Sequence, residues 1–225
     1  MTGEHRAGGA RLARHAPLER FNHWLLALCM LILLATSLLP ILSVKFEWVL
    51  IHWCTGILLT AGVLAHVIRV IQRKQIRNMW IRWTEINRQI HTLQIEMTGS
   101  PEPVPLPGKY STAQKLYHLA MLLVVLAGIG TGLVMLIRID SPLWERNPYL
   151  LSEELWGYIY VLHGFSALFC ISLIMLHVYF AFRPEKLFYT RSMILGWISA
   201  EHYARHHDPA LWQPDEYTSI SENQP

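Results

Sequence analysis

The sequence predicts an all-α membrane protein, a four-transmembrane-helix bundle with both termini cytoplasmic. Three observations carry that expectation. Of the 225 residues, 52% are hydrophobic and only 16% are charged, a balance that belongs to membrane proteins rather than soluble domains. Four runs, residues 21–44, 48–68, 116–137 and 155–182, contain no Asp, Glu, Lys or Arg. At about 1.5 Å per residue each is long enough to cross roughly 30 Å of hydrocarbon. The basic residues, finally, are sorted to one side of those runs.

The N-terminal segment brings Arg6, Arg11, Arg14 and Arg20 before an apolar stretch too long for a secretory signal. The first transmembrane helix is expected over about 21–44, with Pro40 near its far end. Only Lys45, Phe46 and Glu47 separate it from the second, over about 48–71, so that connection is a tight turn. The long cytoplasmic connection, 72–112, carries apolar residues at helical spacing (Met79, Trp80, Trp83, Ile86, Ile90, Leu93, Met97). That face suits either the membrane headgroups or a partner subunit. Pro101, Pro103, Pro105 and Pro107 then read as a stiff spacer.

The third helix is expected over about 113–138 and the fourth over about 155–182. Trp144, Tyr149, Trp156, Tyr158 and Tyr160 suit an aromatic belt at the outer interface. The tail, 183–225, reads as a surface-docked cytoplasmic segment. Sixteen of the 19 basic residues lie in the N-terminal segment, the second connection with its flanks and the tail; Lys45, Arg138 and Arg146 lie opposite. Positive charge stays inside, which places the termini. A net charge of +3 is too small to argue for nucleic acid. Cys29, Cys54 and Cys170 form no C-x-x-C pair and read as small core residues.

Histidine carries the functional signal. His23, His52, His66, His118, His163 and His177 lie in the four membrane runs, where an ionisable group is costly and needs a purpose. His52 and His66 are 14 residues apart, as are His163 and His177. Fourteen residues span roughly 21 Å and nearly four turns, so each pair shares one face of its helix. The topology puts His52 and His163 at an outer level and His23, His66, His118 and His177 at an inner one. Imidazole is a good axial ligand for haem iron, and two haems, one above the other, would give both levels partners. The outer ligands would be His52 and His163; counting does not choose the inner pair.

The chain resembles the cytochrome b (gamma) subunit of membrane-bound formate dehydrogenases, within the hydrogenase and thiosulfate-reductase cytochrome b group. The stretches that carry the resemblance are RFNHW (20–24), IHWCTGI (51–57), GKYSTAQK (108–115), LHGFSALFCISLIMLHVYFAF (162–182) and HHDPALW (206–212). The resemblance implies a single di-haem cytochrome b membrane domain over 1–225, in the bacterial inner membrane. It implies His52 with His163 and His23 with His177 as axial ligands of two haem b groups. A quinone, menaquinone or ubiquinone, is implied near the start of helix three, with Ser111, Gln114 and His118 as candidate contacts. There the family's common Asn-Ala-Gly is replaced by Ser111-Thr112-Ala113. His66 is then an alternative inner ligand or a propionate contact.

No molybdenum, nickel, flavin or cluster motif is visible in this chain. The dehydrogenase step therefore falls to a catalytic partner, reached through an iron–sulfur subunit at the outer face. The implied function is electron transfer from that partner to quinone. Cytochrome b of a hydrogenase or thiosulfate-type reductase is the alternative within the group. A haem-free anchor or a proton-conducting transporter is the alternative from another class; a transporter predicts broken helices or acidic relay residues, and neither is apparent. Gly128, Gly130 and Gly132 imitate a nucleotide loop but lie inside an apolar run with no strand before them, so they read as packing positions. Gly56 and Gly164, near the outer histidines, read the same way.

Overall fold

The computed structural model describes residues 10–73, 79–142 and 144–215. Its long helices are α1 (Pro17–Leu38), α2 (Trp48–Gln72), α4 (Thr112–Met135, continued by a 3-10 turn to Arg138) and α5 (Glu153–Phe182). All four are long and apolar enough to cross a membrane. Shorter elements are β1 (Arg11–Ala13), α3 (Trp83–Thr98), α6 (Leu187–Leu195), β2 (Trp197–Ser199) and α7 (Ala200–His206).

The first helix is shifted from its expected span of 21–44. Pro17 opens it, a first-turn position where a fixed φ is favourable and no N–H is missed. It closes at Leu38, just before Pro40, and residues 39–43 form turns, with Ser43 left-handed at φ 65°. The absence of charge marked the apolar run; proline chemistry marks the helix. At the start of α5, the Ser152 hydroxyl accepts the Leu155 N–H at 3.3 Å, and Glu153 and Glu154 complement the positive end of the dipole.

The described chain forms two compact units. One draws on residues 22–73 and 116–178 and holds most of the four long helices. Its small core is Cys29 of α1 against Leu59 and Val63 of α2, with Val125 and Ile129 of α4 packed on it. Gly62 packs closely there: a Cβ would stand 2.8 Å from a Leu26 methyl, which would have to turn aside. Most large apolar side chains on these helices point outward, Leu28, Leu123, Phe169 and Met175 among them, as a surface solvated by lipid requires. Cys29 and Cys170 are buried but Cys54 is exposed, against the expectation of three core cysteines. Trp156 also departs from its expected place in an interface belt. It is fully buried, donates its indole N–H to Pro148 O at 2.9 Å and lies under the Arg138 guanidinium. Tyr149 and Tyr158 are exposed, as a belt requires.

The other unit gathers residues 10–21, 79–115 and 179–215. The tail is folded here: β1 pairs antiparallel with β2, Leu12 opposite Ile198. Gly196, at φ 93°, turns the chain into β2 where a Cβ would meet His15 O at 3.0 Å. Within the same unit Lys115 Nζ reaches Glu85 Oε1 of α3 at 2.7 Å.

Arg14 and His207 tie this unit together. His207, 1% exposed, donates from Nδ1 to Gly108 O at 2.7 Å. That leaves Nε2 to accept from Arg14 Nη1 at 2.9 Å, while Arg14 Nη2 donates to Lys109 O. Burial holds the His207 imidazole down to about 4, and so neutral, against the raising effect of its Gly108 bond. An unfolded histidine titrates near 6.5, so the unfolded state binds the proton first. This contact is at full strength above that value and loses strength as pH falls toward 4. Hydrogen exchange corrected for intrinsic rates is expected to accelerate across 107–110 and 203–212 in that window. Equal protection at pH 7.5 and 5 would refute the link.

Candidate functional site

The six membrane histidines come together as three pairs within the helical unit. His52 of α2 faces His163 of α5, ring centroids 6.2 Å apart. His23 of α1 faces His177 of α5 at 6.3 Å. His66 of α2 faces His118 of α4, also at 6.3 Å. The first pair is one H-x13-H step along α2 and α5 from the other two, roughly 21 Å by helical rise. At the level where counting leaves four histidines, His177 stands opposite His23 and His66 opposite His118.

The His52–His163 pair is oriented by two threonines. Thr36 Oγ1 lies 2.8 Å from His52 Nδ1, and Thr131 Oγ1 lies 2.9 Å from His163 Nδ1. Each hydroxyl has one proton, and each spends it on its own helix: Thr36 on Ile32 O at 2.8 Å, Thr131 on Ala127 O at 2.6 Å. With that proton so spent, each hydroxyl oxygen can accept from an imidazole Nδ1–H, the tautomer that leaves Nε2 with a free lone pair. That is the tautomer a metal-ligating histidine needs, with its second nitrogen anchored. Gly132 makes room beside it, since a Cβ there would stand 3.3 Å from His163 Cε1. The glycine reading made from sequence thus fits Gly132; Gly164 has nothing within 4 Å.

Beside the His23–His177 pair, Tyr117 stacks on His177 at 5.5 Å and 19° and donates its hydroxyl to Leu173 O at 3.2 Å. His23 has Trp24 edge-on at 5.1 Å. Trp48 is likewise edge-on to His52.

Ser111 and Gln114 hold the start of α4. Ser111 Oγ accepts the Gln114 N–H at 3.2 Å and Gln114 Oε1 accepts the Ser111 N–H at 2.9 Å, a reciprocal capping box. His118 lies one turn further along the same helix.

Thr36, Thr131 and Tyr117 were not singled out from sequence. A hydroxyl in a charge-free run is a signal, but a weak one, because helix carbonyls satisfy it locally. The donor set fits haem b: imidazoles in facing pairs, with Nδ1 of His52 and of His163 each beside a threonine hydroxyl. Among the described residues no group of three or more His, Cys, Asp or Glu gathers as a simple metal site would require.

Two kinds of comparison bear on these sites. The family described as Prokaryotic cytochrome b561 matches residues 14–196, a span that contains all six histidines. The chain is 25% identical over 210 residues to the "Formate dehydrogenase, cytochrome b556(fdo) subunit" of Escherichia coli K12, covering 87% of this chain and 90% of that protein. It is 22% identical over 225 residues to the "Formate dehydrogenase, cytochrome b556 subunit" of Haemophilus influenzae, covering 95% of this chain and 87% of that protein.

Proposed function

Since the chain belongs to the prokaryotic cytochrome b561 family, we propose that it is the membrane electron-transfer subunit of a respiratory formate dehydrogenase, carrying electrons from an outer iron–sulfur partner to quinone. The observation that supports this most is the outer pair, His52 and His163, each with Nδ1 held by a threonine and Nε2 left to bind iron. His23 and His177 would hold a second haem b. Bound between two imidazoles, haem iron supplies one-electron chemistry and keeps no open position for oxygen. Formate as the substrate of the complex rests on the names of the relatives; a hydrogenase or thiosulfate-type partner is the alternative.

The sorting of the basic residues supports a bacterial inner-membrane orientation in which both termini and the 72–112 connection would face the cytoplasm. Quinone, menaquinone or ubiquinone, would be reduced near the start of α4, where Ser111, Gln114 and His118 are the proposed contacts. Reduction takes two protons with two electrons, so cytoplasmic protons and an outer electron donor would charge the membrane.

A reduced-minus-oxidised spectrum of the purified complex, with haem counting and mass spectrometry of co-purified chains, tests this reading. A b-type spectrum with an iron–sulfur and a dehydrogenase subunit is expected. A haem-free preparation would sink it, and a hydrogenase partner would move it to the alternative.

The threonines carry their own prediction. Thr131→Val keeps the shape and removes the acceptor for His163 Nδ1–H, lowering the ligand's basicity. Haem retention at the outer pair is expected to weaken roughly 10-fold or more, as second-shell losses do, and the remaining haem to titrate at a higher potential. An unchanged titration would show that the hydroxyl serves its helix alone.

A further inference from the structure

The proposed axial ligands differ in what holds their rings. His52 and His163 each have a threonine hydroxyl at Nδ1. Among the described residues His177 has no such hydroxyl, and its ring contacts are with Tyr117 and His23. Trp24 and Trp48 meet their histidines edge-on, at 87° and 82°. Tyr117 is different. At 5.5 Å and 19° it lies flat beside the His177 imidazole, an offset stack at a spacing where rings attract beyond the area they bury.

The stacked ring is also tethered at its far end. Tyr117 sits in the second turn of α4, and its phenol crosses to α5, where the hydroxyl donates to Leu173 O at 3.2 Å. Leu173 is four residues before His177, so this carbonyl is the one that accepts the His177 N–H in an α-helix. One side chain therefore touches both the ring of His177 and the backbone turn that carries it. The last torsion of a histidine is otherwise broad, without sharp staggered wells. A flat neighbour fixed at its far end narrows that rotation to one plane. The hydroxyl bond also makes a tyrosine tolerable in this apolar run, where a bare polar atom would be costly.

We propose that Tyr117 is a positioning residue for the haem at His23 and His177: it sets the plane of the His177 imidazole as an axial ligand. This rests on the reading that this pair ligates haem b. Orienting groups usually act on a ligand histidine through a hydrogen bond at its second nitrogen; here the contact is with the ring face. The plane of an axial imidazole governs its overlap with the iron d orbitals, which low-spin ferric haem reports in its EPR g values.

The test is EPR of the oxidised, purified complex, with haem counting on the same samples. His163→Ala, which removes the other haem, identifies the signal of the His23–His177 site. Tyr117→Leu is expected to keep two haems, with that signal displaced and the other unmoved. Tyr117→Phe keeps the flat face and is expected to restore the wild-type position. Tyr117→Met, which also lacks a face, replaces the leucine variant if that fails to assemble, with the same displacement expected. Wild-type signals in the leucine or methionine variant would overturn the assignment, as would both signals moving together, the mark of general loosening. A phenylalanine variant displaced as far as the leucine one would overturn the role of the stack. A wild type without haem would overturn instead the reading on which the proposal rests.

Discussion

His163→Ala is expected to remove the outer haem b and, with it, reduction of quinone by the outer electron donor. The substitution is a clean probe of the site. Thr131 Oγ1 keeps its donor bond to Ala127 O, so no buried donor is orphaned and the helix loses little. At Gly132 an added Cβ would stand 3.3 Å from the imidazole, so losing the ring only widens the space there. Haem content should therefore fall by one equivalent in a chain that still assembles, and reduction of the inner centre by the donor should drop to background. An artificial reductant that reaches the inner side should still reduce it. Full haem content in this variant would refute the ligand assignment.

Arg14→Ala is expected to loosen the tail-containing unit by about 3 kcal/mol, the scale of two buried acceptors losing their donor. Arg14 is 5% exposed, bonds His207 Nε2 and Lys109 O, and lies 4.7 Å from the Tyr189 ring and 5.2 Å from the Trp212 ring. Arg14→Lys should rescue little, because one ammonium does not reproduce the two-pronged fork or the stacking. Limited proteolysis of residues 200–215 is the readout, with haem content measured on the same sample to separate local loosening from global unfolding. Protection equal to wild type would show that the cluster is dispensable.

Much of this was legible in sequence because the membrane makes some errors expensive. A charge-free run and six imidazoles within such runs are conspicuous, and the topology read from the basic residues is what assigns His52 and His163 to one level. Helix ends were less legible. Pro17 and Pro40 bound α1, whereas the absence of charge extends past Leu38. Trp156 was misread because an aromatic near a membrane surface suits a belt by composition, while its burial depends on Pro148 and Arg138 arriving from elsewhere in the chain. The link between Arg14 and His207 spans 193 positions, and no local pattern announces it. Thr36 and Thr131 were hidden for a subtler reason: a hydroxyl bonded to its own helix looks complete until the second lone pair is followed to an imidazole.

One feature of the long helices bears on the life of the protein in the cell. His23 and His177 join α1 to α5, and His52 and His163 join α2 to α5, while few side chains in those helices are buried against each other. Whatever binds only the assembled form adds its binding energy to cohesion. Iron-porphyrin supply should therefore act as a quality gate: starved cells would hold spans that are loosely associated and readily cleared by membrane proteases, so that abundance follows cofactor provision.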